Sequence, residues 1–286
     1  PQVRLAVVTT LKGLKDPSAI PRVLETLRDP DPTVQLACLE VLETLRDPTI
    51  VPQVLAVAED PGPVEVRVRA AQYPRSVGQK WPIKLALKLL NDPDARMRVA
   101  AIQALEDLAD KEALSKMAML TEDASSEVRS QVLRTLGNVG GKAMAPVAIK
   151  FLRDPDPQVR RTAVQSLEKL KDSSISLVLP ACLADPDRDV GNEVGNVLVR
   201  MHDPASIPQV QELLNHPDAE VRLRAIRVIS YVGDATVASK LLPLSDDPSA
   251  TVRFFVADAI ARLQGKSATA FLAKYLEDPD PSVRNG

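Results

Sequence analysis

The chain has 286 residues, of which 45% are hydrophobic, 26% are charged and only 3% are aromatic, a globular balance with an aliphatic core. The net charge of −2 gives no general attraction to nucleic acid or anionic membranes, and no run reaches the roughly 18 apolar residues of a membrane span. Two cysteines and two histidines exclude a disulfide framework and an ordinary zinc cluster.

One motif recurs along the whole chain, an Asp-Pro pair followed a few residues later by Val-Arg. The motif begins at positions 29, 60, 92, 123, 154, 185, 216, 247 and 278, of which seven are Asp-Pro, 123 is Asp-Ala and 216 is His-Pro. Every spacing is 31 residues except one of 32. A fixed period of this length is typical of repeat proteins. Because Val3-Arg4 lies 31 residues before Val34-Gln35, the sequence begins inside a repeat, and we interpret it as a fragment of a longer array.

Each repeat predicts two helices. After Val-Arg, apolar residues recur at steps of three and four, as in Val159, Ala163, Leu167 and Leu170. A second helical stretch follows, for example at residues 20–27, 207–214 and 268–276. Thirteen of the 24 prolines directly follow an aspartate. Because aspartate caps free N–H groups and proline suits the first helical position, these pairs predict helix starts.

Two short helices cannot bury their apolar faces alone, whereas stacked neighbours bury them together. The sequence therefore predicts an all-α, right-handed α-solenoid of about nine stacked antiparallel helix pairs, forming a single array over residues 1–286.

The unit Asp-Pro-Asp-Pro-x-Val-Arg-x-x-Ala-x-x-x-Leu-x-x-Leu-x-Asp, of which residues 154–185 are a close example, resembles the HEAT repeat in its short, bilin-lyase-like form. The resemblance covers essentially the whole chain. It implies that the protein serves as a scaffold with a partner-binding surface, and that the second helix of each unit lines the concave face. It also implies that the arginine after valine joins a ladder of aspartates and arginines between units.

The arginines that share this position have two interpretations. They could form a phosphate-binding stripe, or each could hold an aspartate or a carbonyl of a neighbouring loop, which suits the forked guanidinium. The second, structural interpretation is favoured because the paired aspartate repeats with the arginine. The residues are Arg4, Arg67, Arg98, Arg129, Arg160, Arg222, Arg253 and Arg284.

Neither metal nor nucleophilic chemistry is indicated. HEAT-like deoxyhypusine hydroxylases hold iron with His-Glu pairs, whereas His202 precedes Asp203 and His216 replaces an anchor aspartate. Cys38 and Cys182 fall on helical stripes, and no P-loop, dinucleotide fingerprint or Gly-x-Ser-x-Gly motif occurs. We therefore expect no enzymatic activity, no metal and no cofactor.

Two other functions remain as alternatives. HEAT-like DNA glycosylases cradle DNA in a basic, aromatic face, but this chain has a single tryptophan and balanced charge, so a nucleic-acid partner is disfavoured. A local exception is the basic and aromatic corner formed by Arg222, Arg224, Arg227, Tyr231, Arg253, Phe254 and Phe255. The bilin lyases leave a second alternative, a lyase-like subunit, although no tetrapyrrole pocket is indicated.

The candidate binding surface follows from helix geometry. Counting the valine of Val-Arg as zero, positions two, six and nine lie opposite the core. Position two is either half-buried against a neighbouring helix or an exposed apolar row that binds a partner. We predict a non-enzymatic, cytoplasmic scaffold that binds a protein or peptide on its concave face, with its oligomeric state left open. The predicted contacts are Arg134, Arg161, Asn192, Asn196, Leu223, Arg224, Arg227, Phe254 and Phe255.

Two repeats are irregular. Pro74 stands where other units have Leu or Ile, which predicts a break or kink in the helix near Tyr73 with Trp81 covering the gap. A second interpretation is that Tyr73 and Trp81 form a binding notch there. Gly191 replaces a ladder arginine, and Gly195 occupies a packing position. Because glycine weakens a helix, the repeat with Gly191 and Gly195 is expected to be the least stable one in the interior of the array. The alternative is that both glycines reflect drift in a tolerant repeat.

Overall fold

The computed structural model describes residues 1–108 and 111–284, which contain α-helices and 3₁₀-helices and no strand. The α-helices are α1 (Gln2–Leu14), α2 (Ile20–Thr26), α3 (Pro32–Leu45), α4 (Val51–Glu59), α5 (Val64–Ser76), α6 (Ile83–Leu89), α7 (Ala95–Leu108), α8 (Lys111–Met117), α9 (Ser126–Val139), α10 (Ala145–Lys150), α11 (Pro157–Leu170), α12 (Ile175–Val178), α13 (Arg188–Met201), α14 (Ile207–Glu212), α15 (Ala219–Val232), α16 (Ala250–Gln264), α17 (Thr269–Leu272) and α18 (Pro281–Arg284).

Long and short elements alternate along the chain, as the repeat predicts. The long first helices begin one or two residues before the anchor and contain it in their first turn. They are α1, α3, α5, α7, α9, α11, α13, α15 and α16. The second helices between them are shorter than predicted and often end in 3₁₀ turns. Between α15 and α16 the second helix is reduced to the 3₁₀ turns Ala238–Lys240 and Leu242–Asp246. The fold is therefore an all-α solenoid of helix pairs.

The chain divides into two compact units, Pro1–Thr135 and Leu136–Gly286. In the first unit, α1, α3, α5 and α7 stack in sequence, and α4 packs on α5. In the second unit, α11, α13, α15 and α16 stack in the same way. Neighbouring repeats thus bury each other's apolar faces within each unit, which is the source of stability in repeat proteins.

The core consists of the aliphatic stripes that the periodicity predicts. Helix α11 buries Val159, Ala163, Leu167 and Leu170, and α3 buries Cys38 at the position of the small core residues. Position two of the first helices is half-buried in all units except at Ser130, which is buried. The half-buried interpretation of this row is therefore correct, and the row is not an exposed apolar surface.

Aspartates begin the helices as predicted. The Asp31 carboxylate accepts the Thr33 N–H at the start of α3, and Asp47 and Asp203 cap the 3₁₀ turns before α4 and α14. The first aspartate of the Asp-Pro-Asp-Pro motif has another role. Asp29, for example, accepts both the Asp31 N–H and the guanidinium of Arg4. The two aspartates of one motif therefore serve capping and ladder formation separately.

The predicted break near Tyr73 does not occur, whereas the alternative of a kink stays a prediction. Helix α5 continues through Pro74 and ends at Ser76. Pro74 supplies no N–H to this last turn, which removes one helical hydrogen bond. Surrounding contacts hold this turn, since the Trp81 indole N–H donates to the Ala71 carbonyl at 2.9 Å and the Tyr73 hydroxyl donates to the Asp47 carbonyl at 2.8 Å. Tyr73 is fully buried and Trp81 nearly so, which leaves no aromatic notch for a ligand.

Candidate functional site

All nine predicted contact residues lie on first helices. Their positions are Arg134 in α9, Arg161 in α11, Asn192 and Asn196 in α13, Leu223, Arg224 and Arg227 in α15, and Phe254 and Phe255 in α16. The prediction that they line the floor of a groove made by second helices is therefore wrong. The helical period places positions two and six of a first helix opposite the core, whereas position three, which holds Arg224 and Phe255, lies at the edge of the core face.

Arg224 is a structural residue and not a free contact. It is buried, and its guanidinium donates from Nη1 to the Leu183 carbonyl at 2.8 Å and from Nε to Asn192 Oδ1 at 3.0 Å. A Cβ on Gly191 would overlap Nη1 and would lie 2.6 Å from Cζ of the same guanidinium. The glycine thus makes room for Arg224, and both Arg224 and Asn192 are committed to packing between repeats.

The more N-terminal predicted arginines make local contacts. Arg134 is exposed and donates to Gln131 Oε1 at 3.0 Å, and half-buried Arg161 donates to Gln158 Oε1 at 2.9 Å. Asn196 is half-buried. These residues do not cluster with aromatic side chains, so they supply no binding anchor of their own.

The structure instead brings aromatic and cationic side chains together on α15 and α16. Tyr231 is 45% exposed and Phe255 is 42% exposed. The Arg262 guanidinium lies over the Tyr231 ring at 4.6 Å, which is a cation–π contact. Phe254 packs edge-on against Phe255, with 5.3 Å between ring centroids. We call the group Leu223, Arg227, Tyr231, Phe254, Phe255, Asp258 and Arg262 the aromatic surface.

Helical spacing explains this grouping. Leu223, Arg227 and Tyr231 recur at steps of four on α15, so they share one face of that helix. Phe255 and Arg262 are seven residues apart on α16, and Arg262 also donates to Asp258 at 3.4 Å. The sequence placed Tyr231 in the aromatic corner but did not select it, and it passed over Arg262. Steps of four from Arg227 and seven from Phe255 would have found both.

The arginines after valine form the ladder that the structural interpretation predicted. Arg160 donates from Nε and Nη2 to both Asp185 oxygens at 2.8 Å, and from Nη1 to the Asp154 carbonyl at 2.9 Å. Equivalent pairs join Arg4 to Asp29, Arg67 to Asp92, Arg98 to Asp123, Arg222 to Asp247, and Arg253 to Asp278. Each arginine is paired with the aspartate 25 residues later, so these cations are not available as a phosphate stripe.

Hydrogen bonds from the ladder arginines lower the pKa of two ladder aspartates. The hydrogen bond from Arg253 lowers the pKa of Asp278 to about 2. The hydrogen bond from Arg4 likewise lowers the pKa of Asp29. Asp29 and Asp278 are therefore ionised at neutral pH and accept hydrogen bonds as carboxylates.

The histidines and cysteines have structural positions. His202 is the left-handed residue that ends α13, and His216 Nδ1 accepts the Asp218 N–H at 3.1 Å, as an aspartate does in other repeats. Cys38 is fully buried, and burial raises the pKa of its thiol to about 11. Burial also raises the pKa of Cys182. Among residues 1–108 and 111–284, no group of three or more His, Cys, Asp or Glu is arranged to hold a metal ion.

Within the same described residues, no helix has both the length and the apolar composition needed to cross a bilayer.

Comparison with known families gives one match that extends along the chain. A family model described as HEAT repeats matches residues 1–73, 83–153, 117–193, 145–216 and 207–286. No curated protein matches the sequence.

Several solved structures are similar. The X-ray structure of YibA from Escherichia coli is 19% identical over 91% of this chain and 96% of that chain, with a TM-score of 0.58. A crystal structure of importin beta is 16% identical over 84% of this chain and 39% of that chain, with a TM-score of 0.62. The complex of CpcE and CpcF of phycocyanin lyase from Nostoc sp. is 20% identical over 84% of this chain and 93% of that chain, with a TM-score of 0.45. At these identities the likeness to YibA and importin beta shows the fold alone.

Proposed function

The chain belongs to the HEAT-repeat family, and on that basis we propose that it is a non-enzymatic scaffold that binds a protein or peptide partner. The observation that supports this most directly is the aromatic surface, where Tyr231 and Phe255 are about half exposed beside two arginines. Binding energy at protein interfaces concentrates in a few aromatic and arginine anchors, and this surface groups both kinds of side chain.

The chemistry of the aromatic surface favours a partner segment with acidic and apolar residues. Arg227 is exposed and has no side-chain partner in the described part of the chain. Arg262 is shared between Asp258 and the Tyr231 ring. One uncompensated cation therefore lies beside exposed rings, and an acidic residue next to an apolar one would match both.

We place the partner on the first-helix face of α15 and α16, and not on the row of second helices that the family resemblance implied for the concave face. The reason is that the exposed anchors lie on first helices. A non-enzymatic role is supported by the other reactive groups, since Cys38 is buried with a raised pKa and His216 caps a turn.

Selection of a displayed random-peptide library on the whole chain tests this proposal. We expect the recovered peptides to combine acidic and apolar residues, and we expect Arg227→Glu to weaken their binding by about 2 kcal/mol or more, which is about thirty-fold in Kd. Lys240→Glu is the matched control, because it makes the same change of charge at an exposed position of the adjoining 3₁₀ turn Ala238–Lys240.

Phe255→Ala should weaken the same peptides, since it removes an exposed ring without changing charge. Equal losses with Arg227→Glu and Lys240→Glu would indicate general electrostatic attraction and would contradict the proposed surface. Recovered peptides that bind Phe255→Ala and Arg227→Glu as well as they bind the unmodified protein would contradict it too.

A further inference from the structure

The ladder shows what a guanidinium needs in this fold. We call each arginine–aspartate pair of the ladder a rung. In an intact rung, the arginine donates to the carboxylate 25 residues later, and its Nη1 often also donates to the carbonyls six and five residues earlier. For Arg253 these acceptors are Asp278 at 2.7 and 2.8 Å, the Asp247 carbonyl at 2.8 Å and the Pro248 carbonyl at 3.4 Å. The same arrangement recurs from repeat to repeat, so it defines a reproducible guanidinium site.

One rung of the first unit has the acid but lacks the arginine. Gln35 stands at the arginine position, and Asp60 is the residue 25 positions later. The Gln35 amide is too short to reach across the rung, and its Nε2 donates instead to the Leu27 carbonyl at 3.0 Å. Gln35 Oε1 is buried and has no hydrogen-bond partner among the described residues.

Asp60 is consequently left free. The other ladder acids accept a backbone N–H two residues later, as Asp185 does from Asp187 at 2.8 Å. At Asp60 the loop is one residue longer, and the Gly62 N–H donates to the Asp60 main-chain carbonyl at 2.8 Å. The Asp60 carboxylate is exposed and accepts no hydrogen bond from any described residue, whereas Asp92 and Asp247 are buried.

A cavity of about 670 Å³ lies at this rung. Gln35 and Asp60 both line it, and its apolar wall is formed by Leu24 on α2 and by Ala56 and Val57 on α4. Apolar walls that end at an unpaired carboxylate suit a side chain with an aliphatic stem and a cationic head.

We propose that this cavity binds the arginine side chain of a protein or peptide partner. The guanidinium replaces the missing ladder arginine, with two N–H groups on the Asp60 carboxylate and a further donor on Gln35 Oε1. The stem packs on Leu24, Ala56 and Val57. Arginine is favoured over lysine because only its planar fork reproduces the two-point contact that the intact rungs show.

The charges around the cavity leave Asp60 available. Arg67 also lines the cavity, but it is paired with Asp92 and donates to the Ala58 carbonyl at 3.1 Å. Glu25 is paired with Arg22 at 2.6 Å. Arg28 is exposed at the rim and makes no described contact with Asp60, so it is the one neighbouring cation that competes with an incoming guanidinium.

The second unit contains a precedent for a guanidinium supplied from elsewhere. Gly191 also lacks the ladder arginine, and there Arg224 of the next repeat donates to the Leu183 carbonyl. Leu183 lies eight residues before Gly191, as Leu27 lies eight residues before Gln35. A guanidinium from outside the repeat therefore enters such a gap within this chain.

The test is an NMR titration of the ¹⁵N-labelled full chain with N-acetyl-arginine amide. We expect saturable shifts of the Gln35 side-chain amide and of the Asp60 and Gly62 backbone amides. N-acetyl-lysine amide and N-acetyl-citrulline amide should each bind at least about ten-fold more weakly, because one lacks the fork and the other lacks the charge.

Two variants should remove binding by different means. Asp60→Asn should weaken binding of the arginine compound at least about ten-fold by removing the carboxylate. Gln35→Arg should abolish binding because the new side chain closes the rung, and it should raise the Tm. Asp189→Asn makes the same charge change at an exposed position in the second unit and should leave binding unaltered.

Equal binding of the arginine and lysine compounds would overturn the proposal, as would unchanged binding in Asp60→Asn. The inference rests on the proposed role in partner binding, but its test needs no partner and touches no residue of the aromatic surface. If the peptide selection fails but arginine binds specifically at the cavity, the aromatic surface alone is refuted. If the peptide selection succeeds but arginine does not bind, the cavity alone is refuted.

Discussion

Two repeats of this chain have lost the ladder arginine, and they have responded differently. In the repeat with Gly191 the partner acid has also gone, since His216 stands at its position, and Arg224 fills the space that the glycine leaves. In the repeat with Gln35 the partner Asp60 remains, the space beside it is a cavity, and no cation of the described chain pairs with Asp60.

The difference shows how a repeat protein tolerates the loss of a buried ion pair. Removing one partner of such a pair leaves an uncompensated charge, which is costly when it is buried. The Gly191 repeat avoids the cost by losing both partners and importing a guanidinium. The Gln35 repeat avoids it by exposing the acid to solvent. Only the second response leaves a charged group available, which is why we place a binding site there and not at Gly191.

The largest expected loss of stability comes from removing the acid of an intact rung, Asp247, and it is compared with the removal of the unpaired acid Asp60. Asp247→Asn should lower the free energy of unfolding by about 3 kcal/mol, because Arg222 is buried and loses its carboxylate. Asp60→Asn should change it by less than about 0.5 kcal/mol, as expected for an exposed side chain without a partner. Urea denaturation of the two variants measures both values. Equal costs would mean that Asp60 is engaged in the same way as Asp247.

The second largest effect on stability is expected at Gly191, where Arg224 fills the space left by the missing side chain. Gly191→Ala should destabilise the chain by about 1 to 2 kcal/mol, because the new methyl group displaces the Arg224 guanidinium and outweighs the gain in helix propensity. Gly195→Ala is the matched control, since its Cβ would meet only Leu183 Cδ2 at 3.6 Å.

Gly195→Ala should instead stabilise the chain by about 0.5 to 1 kcal/mol, which is the usual gain from replacing a helical glycine. Thermal unfolding of both variants separates the two roles. Stabilisation by Gly191→Ala would show that Arg224 does not depend on the space at Gly191. Whether this repeat is also the softest in the interior stays a prediction, to be tested by hydrogen exchange against α11.

The contrast also shows which features the sequence could reveal. The 31-residue period, the aspartate caps and the apolar stripes are local, so they predicted the helix pairs and the ladder directly. The burial of Arg224 was not predictable in this way, because its acceptor Leu183 lies 41 residues away. The contacts around Pro74 were not predictable either, because Trp81 donates back to the Ala71 carbonyl of α5 and Tyr73 donates to the Asp47 carbonyl of the preceding repeat.

The aromatic surface was predictable from the sequence only in part. Helical spacing within α15 and α16 places its members on shared faces, and this part was available from sequence. The stacking of Arg262 on Tyr231 joins two helices, and it therefore depends on how neighbouring repeats pack. Residues that act across repeats are the ones that a repeat-by-repeat reading assigns wrongly.

A smaller effect on stability is expected when an arginine at position 35 restores the rung with Asp60. Gln35→Arg should stabilise the chain by about 1 kcal/mol, since a charge-assisted contact with Asp60 replaces a cavity, while the new side chain pays rotamer entropy. The double variant Gln35→Arg with Asp60→Asn should lose this gain, and chemical denaturation measures the coupling. A gain that persists in the double variant would show that the arginine is stabilised by something other than the rung.

The smallest effect is the dependence of stability on pH. Because Arg253 lowers the pKa of Asp278 to about 2, below the value of about 3.9 for an unfolded chain, the native state holds fewer protons than the unfolded state between these values. The contribution of this rung is thus complete above about pH 4 and is lost as the pH falls towards 2. Urea midpoints measured from pH 6 to pH 2 should decrease in this window. Arg253→Met should flatten the decrease, whereas Arg227→Met, which removes an arginine without an acid partner in the described chain, should not. An identical decrease in both variants would show that the acid sensitivity arises outside the ladder.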